Sequence, residues 1–375
     1  MTVKYAIIGS GMMGQEHLRN LALVKGARVV AIAEPDADMR AAGAALAGPD
    51  VALYDNDRDL IAATDADAFV VASPNQTHAD ILERLIDDGR PVLIEKPVVK
   101  DIEQARRVAG KMQDARAPIW VAMEYRYMPG VTKLLERLRA GRAGELKMVS
   151  IVERRYPFLH KVGHWNRFNV SSGGTLVEKC CHFFDLMRLM IGAEPVRVHA
   201  IGGHAINHMD ERYEGRVPDV IDHCFATISF SNGVSAALEL CMFAEGSRFQ
   251  ERVSATGTEA LLEARVPGPG RFEPDGKPKH AEFAIADRAS RSETVETIEV
   301  DPELLARGDH HGSTFFQHLN FNRMVREGGQ PEVTVEDGLK AVLMGLAAQE
   351  SITTGRPVEM AEFGLLDDTR PALQA

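Results

Sequence analysis

A short apolar run, Val92-Leu93-Ile94, ends abruptly in an acid, a base and a proline, Glu95-Lys96-Pro97. A lysine at such a strand tip can hydrogen-bond an oxygen that gains negative charge during a reaction. In an open parallel sheet, ligands bind in the crevice outside the carboxyl ends of the strands, so Lys96 would point into a site rather than into the core. Proline fixes φ and removes a ladder donor, which stops the strand and holds Lys96 at the rim. A plain surface lysine after an edge strand is the alternative. A second concentration of chemistry, Glu178, Lys179, His182, Asp185 and Arg188, lies within 176–191. That stretch is so apolar that it predicts a helix buried nearly all round. Ionisable groups there are costly unless they face a site or each other. Glu178 and His182 are four apart and so should share a face, with Asp185 one further turn along. Histidine suits a base that accepts a hydroxyl proton near neutral pH; a buried structural Glu–His pair is the competing reading.

A third set reads as a phosphate cradle. The apolar run 3–8 breaks into Gly9-Ser10-Gly11-Met12-Met13-Gly14, followed by helical composition over 15–25. The first glycine permits the tight turn, the second lets the backbone approach a pyrophosphate, and the third allows close helix–strand packing. The strand over 28–33 ends in Glu34, about twenty residues past the motif, where dinucleotide folds place an acid on the ribose hydroxyls. A carboxylate there repels a 2′-phosphate, so NAD is expected over NADP, although Arg40 is close enough in sequence to soften that preference.

The elements that must position these groups alternate. Helices are expected over 36–46, 57–63, 79–88 and 101–114, and strands over 68–72, 91–94 and 119–123. Such alternation predicts a parallel, doubly wound sheet. The turn-rich loop Ser73-Pro74-Asn75-Gln76-Thr77-His78 falls at the same edge as Gly9 and Lys96, and ordinary turn chemistry would account for it equally well. The first domain is expected to span 1–127.

From 128 to 375 the pattern changes. A helix over 131–140 and a strand over 145–154 lead into a long irregular segment, 156–172, carrying His160, His164, Trp165, Asn166 and Arg167. Loops of that length are usually functional or disordered, and this mix of planar and hydrogen-bonding groups suits polyol recognition. Strands over 195–202, 223–231, 233–242, 251–256 and 261–266 predict a large antiparallel sheet, with Ser231-Asn232-Gly233 as a hairpin turn. The Pro-, Gly- and charge-rich stretch 267–292 reads as a surface excursion, and helices over 313–327 and 335–354 close the chain.

A chain of 375 residues, 45% hydrophobic, is large enough for two cores. Net charge of −11, from 43 basic and 54 acidic residues, excludes a general attraction to nucleic acid or anionic membrane. Cys180, Cys181, Cys224 and Cys241 show no CxxC spacing, and adjacent residues of a helix point apart, so Cys180-Cys181-His182 offers no tetrahedral set and no metal is expected. Strand residues begin at Val3, leaving no room for a signal peptide, and no run would span a bilayer, so a cytoplasmic protein is expected.

Gly9 to Gly14, the Ser73-Pro74-Asn75 loop with His78, and above all Glu95-Lys96-Pro97 together resemble the Gfo/Idh/MocA family (glucose-fructose oxidoreductase, inositol dehydrogenase, rhizopine catabolism). The segment from Gly173-Gly174-Thr175 to His182 is similar to the family's GGxLxDxGxH, with Glu178 where aspartate is usual. The resemblance spans nearly the whole chain. It implies an α/β Rossmann domain followed by an α+β domain with a large, mainly antiparallel open-faced sheet. It also implies a homodimer or homotetramer built through that sheet, and an NAD-dependent dehydrogenase acting on a secondary hydroxyl of a sugar, glycoside or inositol. Lys96 and His182 then fall at the catalytic lysine and histidine, with Glu178 orienting His182 or holding a neighbouring hydroxyl. Cofactor contacts are expected from Gly9, Ser10, Gly11, Met12, Met13, Gly14, Glu34, Ser73, Pro74, Asn75, His78, Glu95 and Lys96. Tyr125, Arg126, His164, Trp165 and Asn166 are expected to join Lys96, Glu178 and His182 around the substrate. Two other classes share this fold: a glycosidase that oxidises, eliminates and returns its NAD, and a silent NAD-binding regulator, which would lack the lysine and histidine present here.

Overall fold

The computed structural model describes residues 2–365. Its first sheet comprises β1 (Val3–Ile8), β2 (Ala27–Ala33), β3 (Ala52–Tyr54), β4 (Ala68–Val71), β5 (Val92–Glu95) and β6 (Ile119–Ala122), all parallel, in the order β3-β2-β1-β4-β5-β6. β4, β5 and β6 are buried at every residue, as a parallel sheet covered by helices on both faces requires. Strand order reverses between β1 and β4, so the crevice opens at their carboxyl ends, where the Gly9 turn, Ser73, Lys96 and Glu124 emerge. β3 escaped the sequence reading because three half-exposed residues at a sheet edge carry no periodicity.

The second sheet comprises β7 (Leu146–Arg154), β8 (Pro195–Gly203), β9 (His223–Phe230), β10 (Ser235–Cys241), β11 (Glu251–Gly257), β12 (Ala260–Val266), β13 (Ala281–Asp287), β14 (Ser292–Ile298) and β15 (Val358–Glu359). Their order is β14-β13-β12-β11-β7-β10-β9-β8-β15, antiparallel throughout except for the β7–β10 pair. Along β9 and β10 the residues alternate, one set buried under helices and the other facing away. On that outward face Met148, Ile201 and Phe225 are each more than half exposed.

Two expectations fail here. Only the first part of 267–292 is an excursion; the rest contributes β13 and the start of β14, a hairpin at the sheet edge. Its outer strand, Ser-Glu-Thr-Val-Glu-Thr-Ile, is almost wholly exposed, so its charges suit an edge strand that resists further pairing. The helix expected over 176–191 is in fact two, Thr175–Glu178 and Cys181–Ile191. Between them the Cys180 amide reaches back to the Thr175 carbonyl and the Phe183 amide to that of Cys180, so the helical ladder changes step.

The closing helices Ser313–Glu327 and Val335–Thr354 match their expected limits. The first of them lies against the Rossmann domain: Phe321 packs on Tyr5 and Trp120, Asn322 Nδ2 donates to the Tyr5 hydroxyl at 3.0 Å, and His318 meets His17 at 2.8 Å.

Candidate active site

β5 delivers Lys96 to the carboxyl edge of the parallel sheet, and its neighbours brace it there. Glu95 Oε1 lies 3.0 Å from His17 Nε2, while His17 Nδ1 lies 2.8 Å from His318 Nε2, tying the strand tip to two helices. His78, fully buried, lies 2.7 Å from the Pro97 carbonyl and 2.8 Å from that of Ser73. Both ring nitrogens are thereby occupied. His78 thereby straps the Ser73 loop to the Lys96–Pro97 turn and Glu95 ties the tip of β5 to the first helix, so the side chains of both expected cofactor contacts are engaged within the protein. Asn75 is likewise buried, its Nδ2 donating to the Ser172 carbonyl at 2.9 Å.

Lys96 Nζ donates to the Glu178 carbonyl at 3.1 Å, an oxygen that an unbroken helix would have given to the His182 amide. Burial opposes the ammonium, but Cys181 and then Glu124, Glu95 and Glu178 outweigh it and raise its pKa. The carboxylates carry that effect at neutral pH, since burial pushes the Cys181 thiol up to about 12. Lys96 is therefore a charged donor and not a base.

His182 is buried, with its ring stacked on Tyr125 at a centroid distance of 4.2 Å and an angle of 7°. Its Nδ1 has no hydrogen-bond partner among the described residues. Burial, then the positive charges of Lys96, Lys179 and His310, hold its pKa well below the ordinary value, so the imidazole is neutral and has a lone pair to offer. Glu178 does not pair with it. Because the helix breaks between them, the Glu178 carboxylate turns to Lys161 Nζ at 3.0 Å, leaving Oε2 unpartnered. The acid facing His182 is Glu124, with Oε1 3.5 Å from Nε2.

The other expected substrate contacts divide. Trp165 reaches the site through Lys161, whose ammonium sits 4.3 Å from the indole ring centroid. His164 stacks on Tyr213 at 4.2 Å. Three are engaged elsewhere: Tyr125 is the wall behind His182, its hydroxyl donating to Glu251 and accepting from Lys179; Arg126 forms a two-pronged ion pair with buried Asp185; and Asn166, fully buried, donates to the Leu159 carbonyl. Arg126 and Asn166 thus serve packing, since satisfying a buried charge or amide takes precedence over reaching a ligand.

Glu124, Lys161 and His310 were not singled out from sequence. Glu124 could have been found by the rule that located Lys96, because it follows β6 as Lys96 follows β5. Among the described residues no group of three or more His, Cys, Asp and Glu side chains is arranged to hold a metal.

The glycine turn fits a dinucleotide. Gly9 has φ +94°, and a methyl there would lie 2.7 Å from the Ala72 carbonyl group. At Gly11 an added methyl would meet nothing within 4 Å, so the backbone that opens the helix Met12–Leu21 is free to be approached by phosphates. Glu34 accepts from the Ser10 amide at 2.8 Å and the Asp36 amide at 3.0 Å, which places its carboxylate directly beside the turn. Arg40 pairs with Asp55 at 2.8 Å and donates to the Glu34 carbonyl, so its charge is already engaged and does not offset Glu34.

A six-stranded Rossmann sheet with this cradle, and a lysine and histidine meeting at its carboxyl edge, defines a dinucleotide-dependent oxidoreductase. The chain belongs to the Gfo/Idh/MocA oxidoreductase family: the model of its NAD-binding Rossmann fold matches residues 3–123, and that of its C-terminal alpha/beta domain matches 136–360. Among curated relatives, inositol 2-dehydrogenase of Rhizobium meliloti (strain 1021) is 33% identical over 200 residues, covering 53% of this chain and 58% of that protein. The rhizopine catabolism protein MocA of Rhizobium meliloti is 28% identical over 278 residues, 73% of this chain and 80% of MocA. In three dimensions the chain is similar to levoglucosan dehydrogenase in complex with NADH, with TM-score 0.80, 20% identity and coverage of 96% of this chain and 99% of that one. That likeness concerns the fold.

Proposed function

We propose that this chain is an NAD-dependent dehydrogenase that oxidises a secondary hydroxyl of a sugar, glycoside or inositol. The observation that carries the reading is the convergence of a charged Lys96, a neutral His182 with an unpartnered Nδ1, and Glu178 with an unpartnered Oε2 at one sheet edge. NAD, when bound, accepts the hydride. Lys96 donates a hydrogen bond to the reacting oxygen and stabilises its negative charge, His182 takes the hydroxyl proton at Nδ1, and Glu178 receives a neighbouring hydroxyl. The inositol 2-dehydrogenase and rhizopine relatives support a polyol substrate. Incubating the protein with NAD and a panel of inositols, hexoses and glycosides while following NADH absorbance tests the reading. No NADH with any of them contradicts it, and release of free sugar without net NADH assigns the oxidation–elimination route instead.

The cofactor domain of this reading ends near Tyr127, with the substrate domain following. Glu34 beside the turn, with Arg40 engaged by Asp55, is expected to favour NAD over NADP by more than about tenfold, since a close like-charge pair near a surface is worth well over the roughly 1.4 kcal/mol that factor requires. Catalytic efficiencies with the two cofactors check this; equal use of NADP would mean that the acid does not face the ribose. In this reading the enzyme works in the cytoplasm, and the exposed apolar residues on the outward sheet face, Met148, Ile201 and Phe225, support a homodimer or homotetramer closed through that face. Light scattering should give a multiple of the chain mass, and Phe225→Lys should lower it.

A further inference from the structure

We propose that Glu124 is the positioning acid of this site: it accepts the Nε2 proton of His182 and thereby presents the Nδ1 lone pair to the substrate hydroxyl. The inference rests on the dehydrogenase reading and assigns to Glu124 the part that sequence gave to Glu178. Glu124 follows β6, is buried, and has Oε1 3.5 Å from His182 Nε2 and 3.9 Å from His310 Nε2. A separation of 3.5 Å is longer than a hydrogen bond, as catalytic contacts commonly are before substrate arrives. Its Oε2 has no hydrogen-bond partner among the described residues, and of the groups near Oε1 His182 is the nearer, with the His310 cation beyond it.

The groups facing Glu124 come from three segments. Glu95 and Lys96 approach from the end of β5, His182 from the helix Cys181–Ile191, and His310 from the loop before the helix Ser313–Glu327. Behind His310 the first helix supplies Glu16, whose Oε1 lies 2.8 Å from His310 Nδ1 and accepts from Thr314 Oγ1 at 2.8 Å. Burial opposes both charges of the His310–Glu16 pair, yet their attraction prevails, raising His310 to about 9 and lowering Glu16 to about 2. His310 is therefore cationic at neutral pH. Burial and then the Glu95 carboxylate raise Glu124 to about 7, against the favourable charges of His310 and Lys96.

The consequence follows from the tautomers. Below about pH 7 a protonated Glu124 donates to Nε2, which forces the proton onto Nδ1 and removes the base. Above it the carboxylate accepts from Nε2–H and Nδ1 is free. Oxidation should then rise with pH through Glu124, while His182 itself, depressed by burial, stays neutral on both sides. After the substrate proton arrives at Nδ1, the imidazolium is stabilised by the carboxylate at Nε2, with no change in the number of protons beyond the one transferred.

The test combines two readouts on the NADH-loaded enzyme and on Glu124→Gln, Glu124→Asp and Glu178→Gln. Nitrogen-15 histidine spectra, with the His182 signals assigned by His182→Gln, need no substrate. His182 should change from the Nδ1–H to the Nε2–H form as pH rises through about 7 in the parent protein and in Glu178→Gln, but not in Glu124→Gln. Rates with NAD and myo-inositol or levoglucosan should show the same limb, flattened in Glu124→Gln with kcat down about tenfold and KM little changed, and restored in Glu124→Asp. A limb and tautomer change that persist in folded Glu124→Gln, or that respond to Glu178→Gln instead, overturn the proposal. Failure of the dehydrogenase reading looks different: NADH is formed from neither polyol and Lys96→Ala changes nothing, while the histidine spectra still report whether Glu124 sets the tautomer.

Discussion

Lys96→Ala is expected to lower turnover by about 10²-fold or more and to leave NAD affinity nearly unchanged, the scale of losing one preorganised donor at a developing oxyanion. The size follows from the surroundings. Lys96 is half-buried among Glu95, Glu124 and Glu178, which keep it charged, and its ammonium is tethered by a 3.1 Å bond to a backbone carbonyl that a substrate oxygen can share or replace. Neither its backbone nor its side chain builds the glycine turn, so cofactor binding should not follow the loss of turnover. NADH fluorescence titration beside initial rates separates the two quantities. Near-normal turnover in a variant that melts like the parent would make Lys96 a surface charge, and a parallel fall in NAD affinity would make it a cofactor residue.

His182→Ala should cost a similar factor, about 10²-fold or more, the usual worth of a positioned base. It should also abolish the near-neutral limb of the oxidation profile, because Glu124 then has no imidazole to orient. Sign matters here. Burial and the cations Lys96, Lys179 and His310 lower the His182 pKa, so protonation of His182 sets in only at pH well below neutrality, and a rise of activity near pH 7 cannot be its own titration. Removing the ring also leaves Tyr125 without its stacked partner, so His182→Asn, which fills part of that space, is the companion variant. If both variants fold and keep the parental rate and limb, proton transfer runs elsewhere.

Much of this was legible along the chain because the signals are local. A glycine in Gly9-Ser10-Gly11-Met12-Met13-Gly14 is required by a turn made of its own neighbours, a proline after Lys96 ends its own strand, and the two long closing helices carry their period within fifteen and twenty residues. Where a segment's role depends on distant contact, local reading erred. The strand at 281–287 is half of a hairpin whose partner is an almost wholly exposed, polar edge, so composition read as loop. Arg126 and Asn166 look like ligand-binding groups by type, but each meets a partner within the protein, Asp185 and the Leu159 carbonyl, that no spacing reveals.

By itself the amino-acid sequence determined the Rossmann domain, the glycine cradle with Glu34, the placement of Lys96 at a strand tip and the presence of His182 in a buried apolar segment. Each of these follows from period, turn chemistry or the edge of a parallel sheet. Only the tertiary structure decided which acid serves His182. Four residues on an unbroken helix share a face, and that assumption joined Glu178 to His182; the change of step at Lys179 and Cys180 turns Glu178 towards Lys161 instead. Glu124, 58 positions before His182 in the chain, takes the place of Glu178 because the carboxyl end of β6 and the start of the helix Cys181–Ile191 meet in the interior, where a carboxylate must find a proton donor or lose its charge.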